Sequence, residues 1–198
     1  MAMARDAGSN GPDMDKKILV EQLTRRLKEL ALGARRAGVA AEEEARVGAT
    51  AAEKRENARV SQEYSSLARG QRDRAARAMA EAATLETFRP GALGARAPIA
   101  LGAIVEVEAA AEAGEAGAGG GAGQSSANGG RTGIQGRTFF LAPAGAGIEL
   151  TGPGGDGFLS VVTPQSPVGR SVLGRRVGDT IEVQVEGEPR EWTITFVG

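Results

Sequence analysis

A chain of 198 residues with 30 glycines carries enough apolar material for one or two small cores, and a quarter of its side chains are charged, with a net charge of -1. It has neither cysteine nor histidine, which excludes disulfides, thiol nucleophiles, Cys/His zinc sites and imidazole acid–base chemistry; only carboxylates, hydroxyls, Lys and Arg remain for chemistry. Charge is unevenly spread, with 17 Lys/Arg against 14 Asp/Glu up to residue 90 and 7 against 11 beyond it, so neither half is basic enough for direct duplex DNA binding. The apolar runs are only a few residues long, so a soluble, cytoplasmic protein with no membrane partner is expected.

In chain order, residues 1–14 are polar and aperiodic and read as a disordered tail, after which Asp15 can cap a helix. Val20, Leu23, Leu27, Leu30, Ala34 and Ala37 then fall at 3-4-3-4-3 spacing, the seam of a long coiled-coil helix reaching about Arg46. Gly48 supplies a turn, and Thr50 to Glu53 has the T-x-x-E form of a capping box that opens a second helix. That helix carries a weaker seam of Tyr64, Leu67, Gln71, Ala75, Ala78, Ala82 and Leu85, and Pro90 ends it. Two such arms pack as an antiparallel hairpin over residues 15–90, about 50 Å long at 1.5 Å per residue.

Beyond residue 90 the apolar period changes to two. Strands are predicted at 104–108, 137–141, 158–162, 180–185 and 191–197, giving a small antiparallel sheet domain over residues 91–198. Residues 109–133 are almost purely Gly, Ala and small polar residues and read as a flexible insertion between the first two strands. Between the third and fourth strands Ser166 reads as the N-cap and Pro167 as the first residue of a helix of under three turns that stops at Gly174, with Val168, Val172 and Leu173 on its packed side. Arg170, Arg175 and Arg176 are left to face outward, and Gly178 is free to take a positive φ. The fold class is therefore α+β.

The run Ser-Pro-Val-Gly-Arg-Ser-Val-Leu-Gly-Arg-Arg-Val-Gly-Asp, residues 166–179, followed by the closing Glu-Trp-Thr-Ile-Thr-Phe-Val-Gly, resembles the GreA/GreB family of bacterial transcript-cleavage factors. Residues 99–105 are also similar to that family's first strand. The resemblance covers about residues 99–198 apart from the insertion, and it extends to the order of a coiled-coil hairpin followed by an FKBP-like domain. At the family's hairpin tip stands Asp-Leu-Lys-Glu-Asn-Ala-Glu-Tyr; the nearest equivalent here is Glu53-Lys54-Arg55-Glu56-Asn57-Ala58-Arg59-Val60.

The resemblance implies a protein that is no enzyme itself but acts on another. The C-terminal domain, through Ser166, Pro167, Gly169 and Arg170, would dock on bacterial RNA polymerase, and the hairpin would enter its secondary channel. Glu53 and Glu56 would then supply carboxylates to a Mg2+ held jointly with the polymerase, promoting hydrolysis of the backtracked nascent RNA 3' end. Arg69 and Arg72 on the second helix, with Arg74 and Arg77, would contact that RNA or carboxylates of the polymerase, or else form an ordinary solvated face. Glu53 has a second reading as the capping-box acid, and Glu42, Glu43 and Glu44 would be the tip acids if the hairpin register moved by a turn. No stable homo-oligomer is expected. The alternatives are a channel-binding regulator without cleavage activity, an FKBP-like prolyl isomerase, and a coiled-coil adaptor with no polymerase contact.

Overall fold

Two long helices and a six-stranded sheet make up the computed structural model, which describes residues 12–47, 58–94, 96–109, 136–152, 155, 157–185 and 187–198. The expected tail up to Gly11, the Gly48 turn, the Thr50–Glu53 capping box and the 109–133 insertion beyond Ala109 lie outside the described residues. Helix α1 spans Pro12–Val47, starting slightly ahead of Asp15, and α2 spans Ala58–Thr87. At 1.5 Å per residue the 36 residues of α1 measure about 54 Å.

The hairpin seam differs from the expected one at three positions. Leu30 and Leu67 are half exposed and Ala37 is exposed, while Ala31, Ala34, Gly38, Ala41 and Ala68 are buried. From Leu27 onward α1 turns inward the residues at 31, 34, 38 and 41, one step beyond the 3-4 pattern that begins at Val20. Small side chains let the two backbones approach closely, which leaves no room between them for a leucine. At Gly38 an added Cβ would already lie 3.5 Å from both the Ala68 carbonyl oxygen and Gln71 Cβ.

After α2, a connection through Phe88 and Pro90 leads to the sheet. The strands are β1 (Ile104–Ala109), β2 (Gly136–Leu141), β3 (Glu149–Thr151), β4 (Phe158–Val162), β5 (Thr180–Val185) and β6 (Glu188–Val197), with the short helix α3 at Pro167–Val172 between β4 and β5. Their order is β3-β4-β2-β1-β6-β5. The α+β class holds, but among the described residues the sheet has six strands and is mixed, not five and antiparallel: β2 and β4 pair in parallel, Phe139 opposite Ser160 and Leu141 opposite Val162. The extra strand causes this. The chain leaves β2, forms β3 at the edge, and returns as β4 between β3 and β2; three residues of β3 are too short to show an alternating pattern. Residues 99–103, expected to open the first strand, form an irregular segment ahead of β1, which begins at Ile104.

Strand alternation sends side chains to two cores. On one face Phe140, Leu150, Leu159 and Val161 join Leu19, Leu23, Leu27 and Leu85 of the hairpin base. On the other, Val105, Val107, Phe139, Leu141, Ile181, Trp192 and Ile194 pack with Val172 of α3 and Ile99 of the connection. The sheet thus lies between the root of the hairpin and α3. Among the described residues no helix is long and apolar enough to cross a membrane.

Candidate functional site

The α3 segment is determined almost residue by residue. Ser166 is the N-cap: its hydroxyl accepts from the Gly169 amide at 3.1 Å and donates to the Thr163 carbonyl at 2.8 Å, and Pro167 follows where no amide hydrogen is needed. Gly169 is buried, and an added Cβ there would overlap the Thr163 carbonyl oxygen, so this position accepts only glycine. Gly174 takes φ +77° and donates to Ile99, whose own amide donates to Arg175; Gly178 takes φ +91° and donates to Ile194 at 2.8 Å. The Asp179 carboxylate accepts from the Arg176 amide at 2.9 Å, closing the turn.

With those residues committed to backbone geometry, the outward surface of the segment consists of Pro167, Arg170, Leu173, Arg175, Arg176 and Val177, all exposed. Leu173, expected on the packed side, is 44% exposed because the helix has ended one residue earlier and its chain direction has changed. Two exposed aliphatic residues among three guanidinium groups make a surface suited to an acidic protein partner with some apolar relief. Of the four docking residues expected from the sequence, Ser166 and Gly169 therefore build the segment, while Pro167 and Arg170 reach its surface.

At the other end of the molecule, the described part of the hairpin closes on cross-helix contacts. Ser61 donates to the Ala45 carbonyl at 3.3 Å, and Glu42 forms an ion pair with Arg72. This partner for Arg72 was hidden in the sequence because 30 residues separate the two. Arg69, Arg74 and Arg77 are exposed, as are Glu43 and Glu44. Arg59 pairs with Glu63 one turn along α2 at 3.2 Å. Glu53 and Glu56 lie outside the described residues. Among the described residues no group of three or more acidic side chains is placed to hold a metal ion.

Two polar contacts at the hairpin root escaped the sequence reading. Lys16 is completely buried and its Nζ donates to the Gly91 carbonyl at 3.0 Å; Glu81 on α2 accepts from the Gly145 amide at 3.1 Å. Lys16 stands four residues before Val20, in phase with the seam, and that position is the signal that would have found it.

Residues 152–198 match the family model described as transcription elongation factor, GreA/GreB, C-term, a stretch that includes all of α3, β5 and β6. No curated protein matches the sequence. Solved structures similar to this chain include the GreA factor homolog 1 (Gfh1) protein of Thermus thermophilus, with 19% identity over 90% of this chain and 94% of that one and a TM-score of 0.34. Gfh1 of Thermus aquaticus is 20% identical over 92% and 90% of the respective chains, also with a TM-score of 0.34. Over residues 152–198 the chain is thus similar to the C-terminal part of the GreA/GreB transcription elongation factors.

Proposed function

We propose that this protein docks on bacterial RNA polymerase through the surface around α3, inserts its hairpin into the secondary channel, and stimulates cleavage of backtracked RNA. The observation that carries this reading is the family match over residues 152–198, centred on a segment whose buried residues fix its shape and whose surface presents Arg170, Arg175 and Arg176. A hairpin of about 54 Å supports the reach that such an insertion needs.

In this reading Glu53 and Glu56 stand at the far end, and their hard carboxylate oxygens suit Mg2+. Two carboxylates fall short of a full magnesium shell, so the ion would be held jointly with the polymerase and not by this chain alone. Such an ion supplies a water activated for attack on a phosphodiester. The factor's own part is to deliver the two acids along a stiff arm, and Arg69 on α2 adds positive charge for the displaced RNA, whereas Arg72 is engaged by Glu42.

RNA cleavage in stalled, backtracked complexes tests the proposal. The parent chain is expected to raise cleavage above polymerase alone, and Glu53→Ala/Glu56→Ala to remove that gain, a loss on the order of 100-fold for charge-stabilising groups at a reacting centre. No gain with the parent chain refutes the cleavage role. Should the chain then still compete with a cleaving factor for polymerase, the reading becomes that of a channel regulator. The Arg59–Glu63 pair favours this second reading, because Arg59 occupies a position where the resembled tip has an acid and ties up a nearby carboxylate. Trp192 is 3% exposed, stacked on Phe139 at 5.8 Å between centroids and overlaid by Arg137, so it lines no open proline pocket of the kind an isomerase uses.

A further inference from the structure

The apolar core at the hairpin root is non-directional, because Leu19, Leu23, Leu27 and Leu85 gain from being covered by the sheet in any of several tilts. Two contacts at the same boundary are directional. Lys16 Nζ is bonded to the Gly91 carbonyl on the connection, and the Glu81 carboxylate holds the Gly145 amide on the loop after β2. Gly145 is at φ +86°, and an added Cβ would stand 2.7 Å from Leu23 Cδ1, so this loop is seated between α1 and α2 with its amide aimed at Glu81. The two bonds thus engage both helices, α1 from the connection ahead of β1 and α2 from the loop between β2 and β3. A buried ammonium bonded to a backbone carbonyl imposes a direction that a methionine of similar length would not, which points to a role in specifying geometry.

We propose that Lys16 and Glu81 are positioning residues that set the angle at which the hairpin leaves the sheet, and with it where the hairpin's far end arrives. From Glu81 to Ala58 the helix extends about 35 Å, so a tilt of about 10° at the root moves that end by about 6 Å. Displacement of that size exceeds by several fold the tolerance of groups that act at a reacting centre. The consequence for cleavage rests on the function proposed above; the consequence for geometry does not.

The chain has no cysteine, so spin labels attach only where they are introduced. Gln62→Cys on α2 and Glu191→Cys on β6, both exposed positions, report the distance between hairpin and sheet in the full chain. Glu81→Ala and Lys16→Met are expected to widen or shift that distance distribution by about 5 Å or more. Glu81→Gln, whose amide oxygen still accepts from Gly145, is expected to keep the parent distribution. In unlabelled protein, cleavage stimulation should fall about 10-fold or more in the first two variants and return with Glu81→Gln, with far-UV circular dichroism unchanged. A parent-like distribution in Glu81→Ala overturns the proposal, and so does a shifted hairpin that stimulates cleavage as well as the parent. If the parent itself stimulates nothing, the proposed function fails while the distance measurement still decides the positioning role. Should Lys16→Met fail to fold, Glu81→Ala, at a partly exposed site, decides alone.

Discussion

The α3 segment and the outer half of the hairpin achieve order by opposite means. Around α3, single residues are required by backbone geometry: a hydroxyl at 166, a proline at 167, no Cβ at 169, positive φ at 174 and 178. Along the hairpin from Ala31 outward, the contact is a row of alanines and one glycine, any of which buries little area and none of which is uniquely demanded. The first construction tolerates almost no substitution and reads clearly from the chain. The second is built from small side chains that are common on both sides of the helix, so apolar spacing alone does not mark which of them face inward.

The largest test of that contrast is Gly169→Ala, which drives a methyl into the Thr163 carbonyl, a backbone atom with little freedom to retreat. A loss on the order of 3 kcal/mol is expected from urea unfolding followed by the emission of Trp192, the single tryptophan. A loss below about 1 kcal/mol would show that α3 can be displaced and is not rigidly determined. Ser166→Ala removes the cap and should cost about 1 kcal/mol, with Ser166→Thr, which keeps a hydroxyl to accept and to donate, recovering most of it. On the hairpin the expected sign reverses: Gly70→Ala has nothing within 4 Å of the new methyl and should stabilise by about 0.5–1 kcal/mol through helix propensity, seen as a higher Tm. The smallest effect is assigned to Leu30→Gln. At 49% exposure it should change stability by no more than about 0.5 kcal/mol, and a loss near 2 kcal/mol would restore Leu30 to the seam.

Much of the fold was legible because the relevant signals are local. The strands at 158–162 and 180–185 match the observed bounds, since alternation and flanking glycines mark them directly. The Ser-Pro start of α3 and the positive φ at Gly178 were likewise written in adjacent residues. What was not legible depends on partners distant in the chain. Strand β3 has too few residues to carry a period, and the parallel pairing of β2 with β4 follows from where β3 goes. Leu30 and Leu67 look like seam residues by spacing, and only the close approach of the opposite helix turns them outward. At the candidate site, the sequence offers Arg72 as an RNA contact or part of a solvated face, whereas its partner Glu42 stands across the hairpin, and the roles of Lys16 and Glu81 exist only once the sheet is in place.

The core shared by the hairpin root and the sheet has a practical consequence for dissecting the molecule. A cut near residue 90 follows the change of apolar period, yet it strips the cover from Phe140, Ala142, Ala144, Leu150, Leu159 and Val161, all buried in the intact chain. The severed C-terminal fragment would present these as one contiguous apolar face to water, and such faces drive self-association. Fragments are therefore best made by shortening the hairpin at its outer end, where the contacts of the described residues run between the two arms.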